Sequence, residues 1–458
     1  MKKSALLLAV FFLFANTVDV FALHPIAKTN GKTSRSAFVN KNIAAKYRTL
    51  LLDRFLKYTT YNSQSSETEA ITPEQIETAK KLYSELKSMG LNVKLTEHYY
   101  IFVDVPSNLA WDAPTLGFSC HYDVTPGIEA HDIRAIIHKN YDGKPIELGN
   151  NQVIDPAKDN GAYLPTQIGK TIVTSDGNTI LSADDKAGVS IVVTFLQTLV
   201  QNPKKPHGHI QVVIAPNEDV GRAAEYVEET GYNPDIAFDF DGGVNGEVIV
   251  ENFNARQVIY TVTGTPGHQS FAATNGYRNA WKPACKLGDE ICSKEMLPNH
   301  SEGKKGYAEL HHMYYPDGKV FVAELDIRLR GFDQKEMDKW EANSDSIAAI
   351  IAEEYDVQIA RKTNNQYANV GEVCHPDALQ VTQAAFAAAG VPLNTISERA
   401  GTTAAMFVTK NLIGAFTIFT GQNNPHAYTE WLSEEDMFKA YLVALNLADE
   451  VAKIRVTK

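Results

Sequence analysis

Five short stretches of the chain end an apolar run and then present groups that hold cations or move protons. Ser119-Cys120-His121-Tyr122-Asp123 sets an imidazole two residues from a carboxylate, and Leu181-Ser182-Ala183-Asp184-Asp185-Lys186-Ala187-Gly188 opens a helical pattern on two adjacent acids. Ile214-Ala215-Pro216-Asn217-Glu218-Asp219 ends on a second acid pair, and Phe240-Asp241-Gly242-Gly243 adds one more carboxylate. Near the C-terminus, Thr420-Gly421-Gln422-Asn423-Asn424-Pro425-His426-Ala427-Tyr428-Thr429-Glu430 contributes a second imidazole. Read singly, each stretch has an ordinary explanation: a surface His, an Asp capping a helix, a polar turn. Read jointly, they supply two imidazoles and enough carboxylate for a pair of divalent cations. Imidazole with carboxylate and no thiolate suits zinc at a hydrolytic site, with cobalt or manganese as substitutes.

The elements that position these groups follow from the spacing of apolar residues. Ala44 to Tyr58 and Pro73 to Met89 have helical periodicity, while Val93 to His98 and Ile101 to Val105 alternate or run apolar like strands. Leu116 to Cys120, His209 to Ala215 and Ile236 to Phe240 are short apolar runs, with a helical stretch from Ala187 to Val200 between the first two. Strand, helix, strand implies an α/β fold on a mostly parallel sheet, in which ligands bind beyond the carboxyl ends of the strands. His121, Glu218, Asp219 and Asp241 fall there. A second unit starts near Arg256: strand Gln257 to Gly264, helix Ala280 to Lys294, strand Val320 to Arg330, helix Gln334 to Tyr355 and strand Val357 to Arg361. That order predicts an inserted α+β sandwich, a lid, over 256–363. Catalytic-domain parts at 43–255 and 364–458 flank it, the latter with helix Pro376 to Ala389, strand Gly414 to Phe419 and helix Ser433 to Lys453.

Lys2 and Lys3 precede an apolar run from Ala5 to Ala15, and Val20-Phe21-Ala22 offers small residues for cleavage, the pattern of a signal peptide over 1–22. The run is shorter than the roughly 20 residues that span a bilayer, so the mature chain is expected to be secreted or periplasmic with no stable membrane insertion. A polar leader over 23–42 follows. The formal charge of -12 and the lack of any Lys/Arg run argue against nucleic acid as a partner. Cys120, Cys285, Cys292 and Cys374 are too few and scattered for a disulfide framework, and no CxxC forms a thiolate metal site.

These motifs, in this order and spacing, resemble the peptidase T family within the clan of co-catalytic zinc aminopeptidases, carboxypeptidases and deacylases. The resemblance runs from about Ala44 onward. It includes Ile146-Glu147-Leu148-Gly149 through Lys170-Thr171-Ile172-Val173-Thr174-Ser175-Asp176-Gly177, and Glu251-Asn252-Phe253-Asn254-Ala255 at the domain junction. It implies two zinc ions, one held by His121, Asp184 and Asp241 and the other by Asp184, Asp219 and His426, with Asp184 bridging. It further implies that Glu218 is the general base, that Asp123 orients His121, and that the substrates are short peptides, tripeptides first. Arg399 in Arg399-Ala400-Gly401-Thr402-Thr403 matches a binder of the peptide carboxylate, Arg330 matches a second, and His268 matches the lid His that reaches the site on closure. Three departures stand out: Asp219 replaces Glu, Thr403 replaces Asp, and Gln269-Ser270 replaces Pro-Gly. The last two border the substrate pocket, so dipeptide cleavage, N-acyl removal or a catalytically inactive peptide binder stay open, as does the oligomeric state.

Overall fold

The computed structural model describes residues 41–456. The expected signal peptide at 1–22 and most of the expected leader lie outside the described residues. Among those described, no helix is long and apolar enough to cross a membrane.

An eight-stranded sheet forms the larger layer. Its order is Asn92–Leu95, Ile101–Val105, Ile210–Ala215, Leu116–His121, Ile236–Gly242, Ala415–Phe419, Glu247–Asn252 and Asn394–Glu398. The central strands pair in parallel, with His121 opposite Ala215 and Leu116 opposite Ile236, and three antiparallel pairings lie toward the two edges. Parallel pairing requires crossovers that cover the faces, so these strands are apolar on both sides: every residue of Leu116–His121 is buried. The helix Ala183–Gln201 packs beneath the centre, where Phe118 meets Phe195 and Phe240 edge-on at 5.0 and 5.1 Å. Gly188 lets this helix close on the neighbouring strand, since a Cβ there would lie 1.9 Å from the Phe240 carbonyl oxygen. Helices Lys41–Thr59, Ala378–Ala389 and Glu434–Val451 complete the covering.

The second sheet is four-stranded and antiparallel, in the order Tyr307–Tyr314, Val322–Gly331, Asn254–Thr263 and Gln358–Tyr367. Helices Trp281–Ile291 and Gln334–Tyr355 pack on one face of it, around a separate core that includes Tyr260, Leu287, Leu325, Ile327 and Ile351. The sheet runs from Asn254 to Tyr367, slightly beyond the insert expected at 256–363. Two differences have a common cause. The strand Tyr307–Tyr314, absent from the sequence reading, and the extension of the last strand past Arg361 are both edge strands, whose outer faces need no apolar residues. In the first, a bulge between Leu310 and His312 also breaks the alternation.

Three buried asparagines stitch the two crossings between the sheets. Asn252 donates its backbone N–H to Asn369 Oδ1 and accepts the Val370 N–H, while Asn254 Oδ1 accepts the Asn369 N–H at 2.8 Å. Asn369 also donates its amide to the Phe332 carbonyl. A third, small sheet of Gln422–Asn423, Trp431–Ser433, Ile172–Thr174 and Ile136–His138 braces the segment that carries His426. All four cysteines are free.

Candidate active site

His121 is the last residue of its strand and is fully buried; its Nε2 lies 3.1 Å from Asp184 Oδ1, 3.7 Å from Asp241 Oδ1 and 3.8 Å from Glu218 Oε2. The other oxygen of Asp184 faces the second imidazole, with Oδ2 3.1 Å from His426 Nε2. His426 Nε2 also lies 2.9 Å from Asp219 Oδ1. One carboxylate therefore spans two imidazoles, and each imidazole has a further acid beside it. Five separated stretches converge here because three of them leave adjacent parallel strands at the same end, the fourth opens the central helix, and the fifth is the loop held by the small sheet.

Several side chains hold this arrangement without facing the space between the imidazoles. Asp123 is buried and uses one oxygen on the Glu218 N–H at 2.9 Å and the other on the Asp219 N–H at 3.2 Å. The His121 Nδ1 lies 3.4 Å from the first of these oxygens. Asp185 accepts the backbone N–H groups of His121 and Gly188, so its oxygens are engaged by the chain; although it lies close enough to His121 and Asp241 to group with them, Asp184 is the acid open to both imidazoles. The Asp184–Asp185 peptide is cis. Glu430, fully buried, accepts three backbone N–H groups, from Leu181, Ser182 and Asp184, at 2.8, 2.7 and 3.0 Å. Gln422 donates to the Asp241 side chain and carbonyl. Glu430, Asp185 and Gln422 had no assigned role in the sequence reading. Each lies inside a quoted motif, but nothing in the spacing separates a positioning acid from a capping or turn residue.

The acids and imidazoles perturb one another strongly. Burial pushes Glu218 well above the usual carboxylate range, and burial together with Asp184 raises Asp219 to about 7 and Asp241 to about 6. Hydrogen bonds to Asp184 and Asp219 raise His426 to about 11. Burial alone would lower His121, but Asp241, Asp123 and Asp184 around it raise it far above the ordinary imidazole value. Desolvation would raise Asp184 as well, yet its bonds to the two imidazoles hold it below the usual range. Several buried acids crowded around two imidazoles form a donor set whose negative charge is best offset by cations. Asp184, Asp219 and His426 bring ligand atoms within 4.8 Å of one another, as do His121, Asp185 and Asp241, and His121, Asp123 and Asp219; Asp184 joins the His121 side through its 3.1 Å approach to Nε2. With no thiol among them, these residues fit two divalent metal ions.

Two cavities open on this centre. The larger, about 450 Å³, is lined by Asp184, Glu218, Asp219, Asp241 and His426 and extends to Glu247 and Glu398. The smaller, about 310 Å³, shares Glu218, Asp219 and His426 and reaches Arg330, Gln366 and Tyr367. Arg330 donates to the Arg256 and Leu329 carbonyls and to Gln366, and its guanidinium sits 5.5 Å from the Tyr367 ring centre. The other two residues expected to handle substrate are placed elsewhere. Arg399 lines neither cavity; its guanidinium donates to the carbonyls of Ser301, Gly303 and Lys305 and to the Ser301 hydroxyl, and it stacks on Phe253 at 4.7 Å. Those four acceptors consume the donors a peptide carboxylate would need, so Arg399 latches the inserted unit to the catalytic part. His268 lies on an exposed turn, accepts the Ser270 N–H, and likewise lines neither cavity. Thr403 is buried at the start of the helix Thr403–Val408, behind the cavity wall at Gly401 and Thr402.

A mostly parallel α/β sheet with paired imidazoles and carboxylates at its switch point, joined to an inserted antiparallel sheet, defines a metallopeptidase type of architecture. The chain belongs to peptidase family M20/M25/M40, whose profile matches residues 182–450. It is 33% identical to peptidase T of Halothermothrix orenii over 408 residues, 87% of this chain and 98% of that protein. It is 32% identical to peptidase T of Staphylococcus aureus over 417 residues, 88% of this chain and 98% of that protein. The resemblance read from the motifs therefore holds over nearly the whole described length. In fold it is similar to the aminopeptidase PepT from Bacillus cereus, with a TM-score of 0.66 at 18% identity over 89% of this chain and 99% of that one. It is also similar to a tripeptidase from Staphylococcus aureus, with a TM-score of 0.62 at 20% identity and the same coverage. A dinuclear metal binding peptidase from Bacillus subtilis aligns with a TM-score of 0.61 at 14% identity, covering 88% of this chain and 98% of that one.

Proposed function

We propose that this protein is a metal-dependent aminopeptidase that removes the N-terminal residue from short peptides, tripeptides first. The observation that carries the reading is the bridging geometry of Asp184, one oxygen at 3.1 Å from each of two imidazoles, with Glu218 beside them. His121, Asp184 and Asp241 would hold one zinc, and Asp184, Asp219 and His426 the other; cobalt and manganese would suit the same donors. When bound, the two cations polarise the scissile carbonyl and offset the negative charge of the transition state.

The chain's own groups do the rest. Glu218 takes a proton from the attacking water and delivers it to the departing amine as the C–N bond breaks. Asp123 fixes both the base and a ligand by gripping their N–H groups. Arg330, in the smaller cavity that also reaches Glu218, pairs with the peptide's C-terminal carboxylate and so limits peptide length. The names of the peptidase T relatives support the substrate class. The signal-like N-terminus adds that the mature enzyme works outside the cytoplasm; N-terminal sequencing of exported protein should begin at Leu23.

Incubating zinc-loaded protein with tripeptides is expected to release the first residue and a dipeptide, with chelation abolishing turnover. Glu218→Gln should keep its metal and lose roughly 10²- to 10⁴-fold in kcat. Intact tripeptide from the loaded wild type, or turnover by the variant equal to wild type, defeats the proposal.

A further inference from the structure

We infer that the larger cavity is a subsite for a cationic side chain, Lys or Arg, on the N-terminal residue of the peptide. This rests on the hydrolase reading above and goes beyond it in naming which peptides the enzyme selects.

The wall away from the imidazoles is built by two neighbouring parallel strands, Glu247–Asn252 and Asn394–Glu398. Residues two apart on a strand share a face. Glu247 and Ile249 therefore stand on one side of the pair, Ile396 and Glu398 on the other, with Ile249 directly opposite Ile396. All four line the cavity. The result is an apolar strip with a carboxylate at each end, the complement of a long aliphatic stem that carries a charged head. Among the described residues no Lys or Arg lines this cavity. The two acids are near enough to feel one another: burial and then Glu398 push the Glu247 carboxyl up. Glu398 spends one oxygen on the Arg399 N–H, which leaves the other.

A separate observation points to a donor-rich occupant. Thr417 and Gln422 are 1% and 4% exposed, line the same cavity, and each has a side-chain oxygen without a hydrogen-bond partner. The Gln422 amide nitrogen is committed to Asp241, so the oxygen is left over. Buried acceptors without donors are costly unless something fills them, and an ammonium or guanidinium brings three to five N–H groups and no acceptor. Glu247, Glu398, Thr417 and Gln422 together offer only acceptor capacity or a rotatable hydroxyl. An acidic or plain aliphatic side chain leaves them unsatisfied.

The test uses full-length zinc-loaded enzyme and the tripeptides Lys-Ala-Ala, Arg-Ala-Ala, norleucine-Ala-Ala and Glu-Ala-Ala. Norleucine matches the lysine stem without its charge. The expected result is a kcat/KM for the Lys and Arg peptides about tenfold or more above norleucine, carried by KM, and lowest for Glu. In the double variant Glu247→Gln with Glu398→Gln, the Lys-to-norleucine ratio should fall to about two or less. Equal rates for Lys and norleucine in the wild type overturn the inference. So does a uniform loss on all peptides in the double variant, which would assign the pair to the α-amino group common to all of them. If no peptide is cleaved, the fault lies with the hydrolase reading, and calorimetric titration with lysinamide against norleucinamide decides the subsite alone: about tenfold tighter binding of lysinamide sustains it and equal affinity sinks it.

Discussion

Asp123→Asn is a one-atom exchange out of reach of the substrate, and the structure makes it expensive. Both Asp123 oxygens accept backbone N–H groups, from Glu218 at 2.9 Å and Asp219 at 3.2 Å, in a fully buried setting. The asparagine must turn its NH₂ toward one of them, donor against donor. The change forfeits a hydrogen bond to a charged acceptor, about 1.5–3 kcal/mol, and strands a buried N–H, about 1–3 kcal/mol. The sum, roughly 2.5–6 kcal/mol, falls on the two residues proposed as base and ligand. Expressed at the transition state it corresponds to about 10²- to 10⁴-fold in kcat/KM; expressed in the ground state it appears as lower thermal stability and weaker zinc retention. The assay is tripeptide hydrolysis at saturating zinc, with metal content and thermal midpoint measured on the same preparation. A variant within threefold of wild type in kcat/KM, with full metal and an unchanged midpoint, would refute the claim that Asp123 holds the Glu218–Asp219 turn in its working position.

Two further predictions concern residues on either side of the site. Arg330→Met should raise KM for tripeptides with a free C-terminus by about 10- to 100-fold, the worth of a hydrogen-bonded carboxylate, and spare C-terminally amidated peptides; Arg399→Met should instead lower the thermal midpoint and keep the preference for free over amidated C-termini. The opposite pattern in steady-state kinetics would return Arg399 to the substrate. Gly188→Ala puts a methyl 1.9 Å from the Phe240 carbonyl and 2.4 Å from Asp185 Oδ1, so destabilisation at or above the upper end of the ~1–3 kcal/mol typical of overpacking is expected. A wild-type urea midpoint would show that the helix moves away from the strand without penalty.

The sequence discloses the site where chemistry and periodicity agree. Short apolar runs that stop at His121, Glu218 and Asp241 mark strand ends in a parallel sheet, and strand ends in such a sheet are neighbours, so convergence follows from fold class. The helix Gln334–Tyr355 is legible to the residue from its amphipathic spacing, and the structure caps it with Asp333 at its start and a left-handed Asp356 at its end. Glu247–Asn252 and Asn394–Glu398 were not read as strands. Both lie at the polar end of the sheet and carry Glu and Asn where an apolar alternation would announce them. The motif around Arg399 points to a substrate binder because a local motif cannot tell that the 301–305 loop, far away in sequence, brings its carbonyls to the guanidinium. His268 sits in a matching tetrapeptide, but its position depends on the whole insert and not on the four residues around it.

The asparagine stitch at the junction bears on how this architecture can be reshaped. Asn252 lies upstream of the insert and Asn369 downstream; across the gap Asn252 donates its N–H to Asn369 Oδ1 and accepts the Val370 N–H. An engineer cutting at Asn254 and Tyr367 to transplant the four-stranded unit would leave half the knot in the donor and half in the host. The cassette that can travel intact extends outward to include both asparagines, and swaps that ignore this would be expected to yield chimeras whose two halves fold but whose seam does not close.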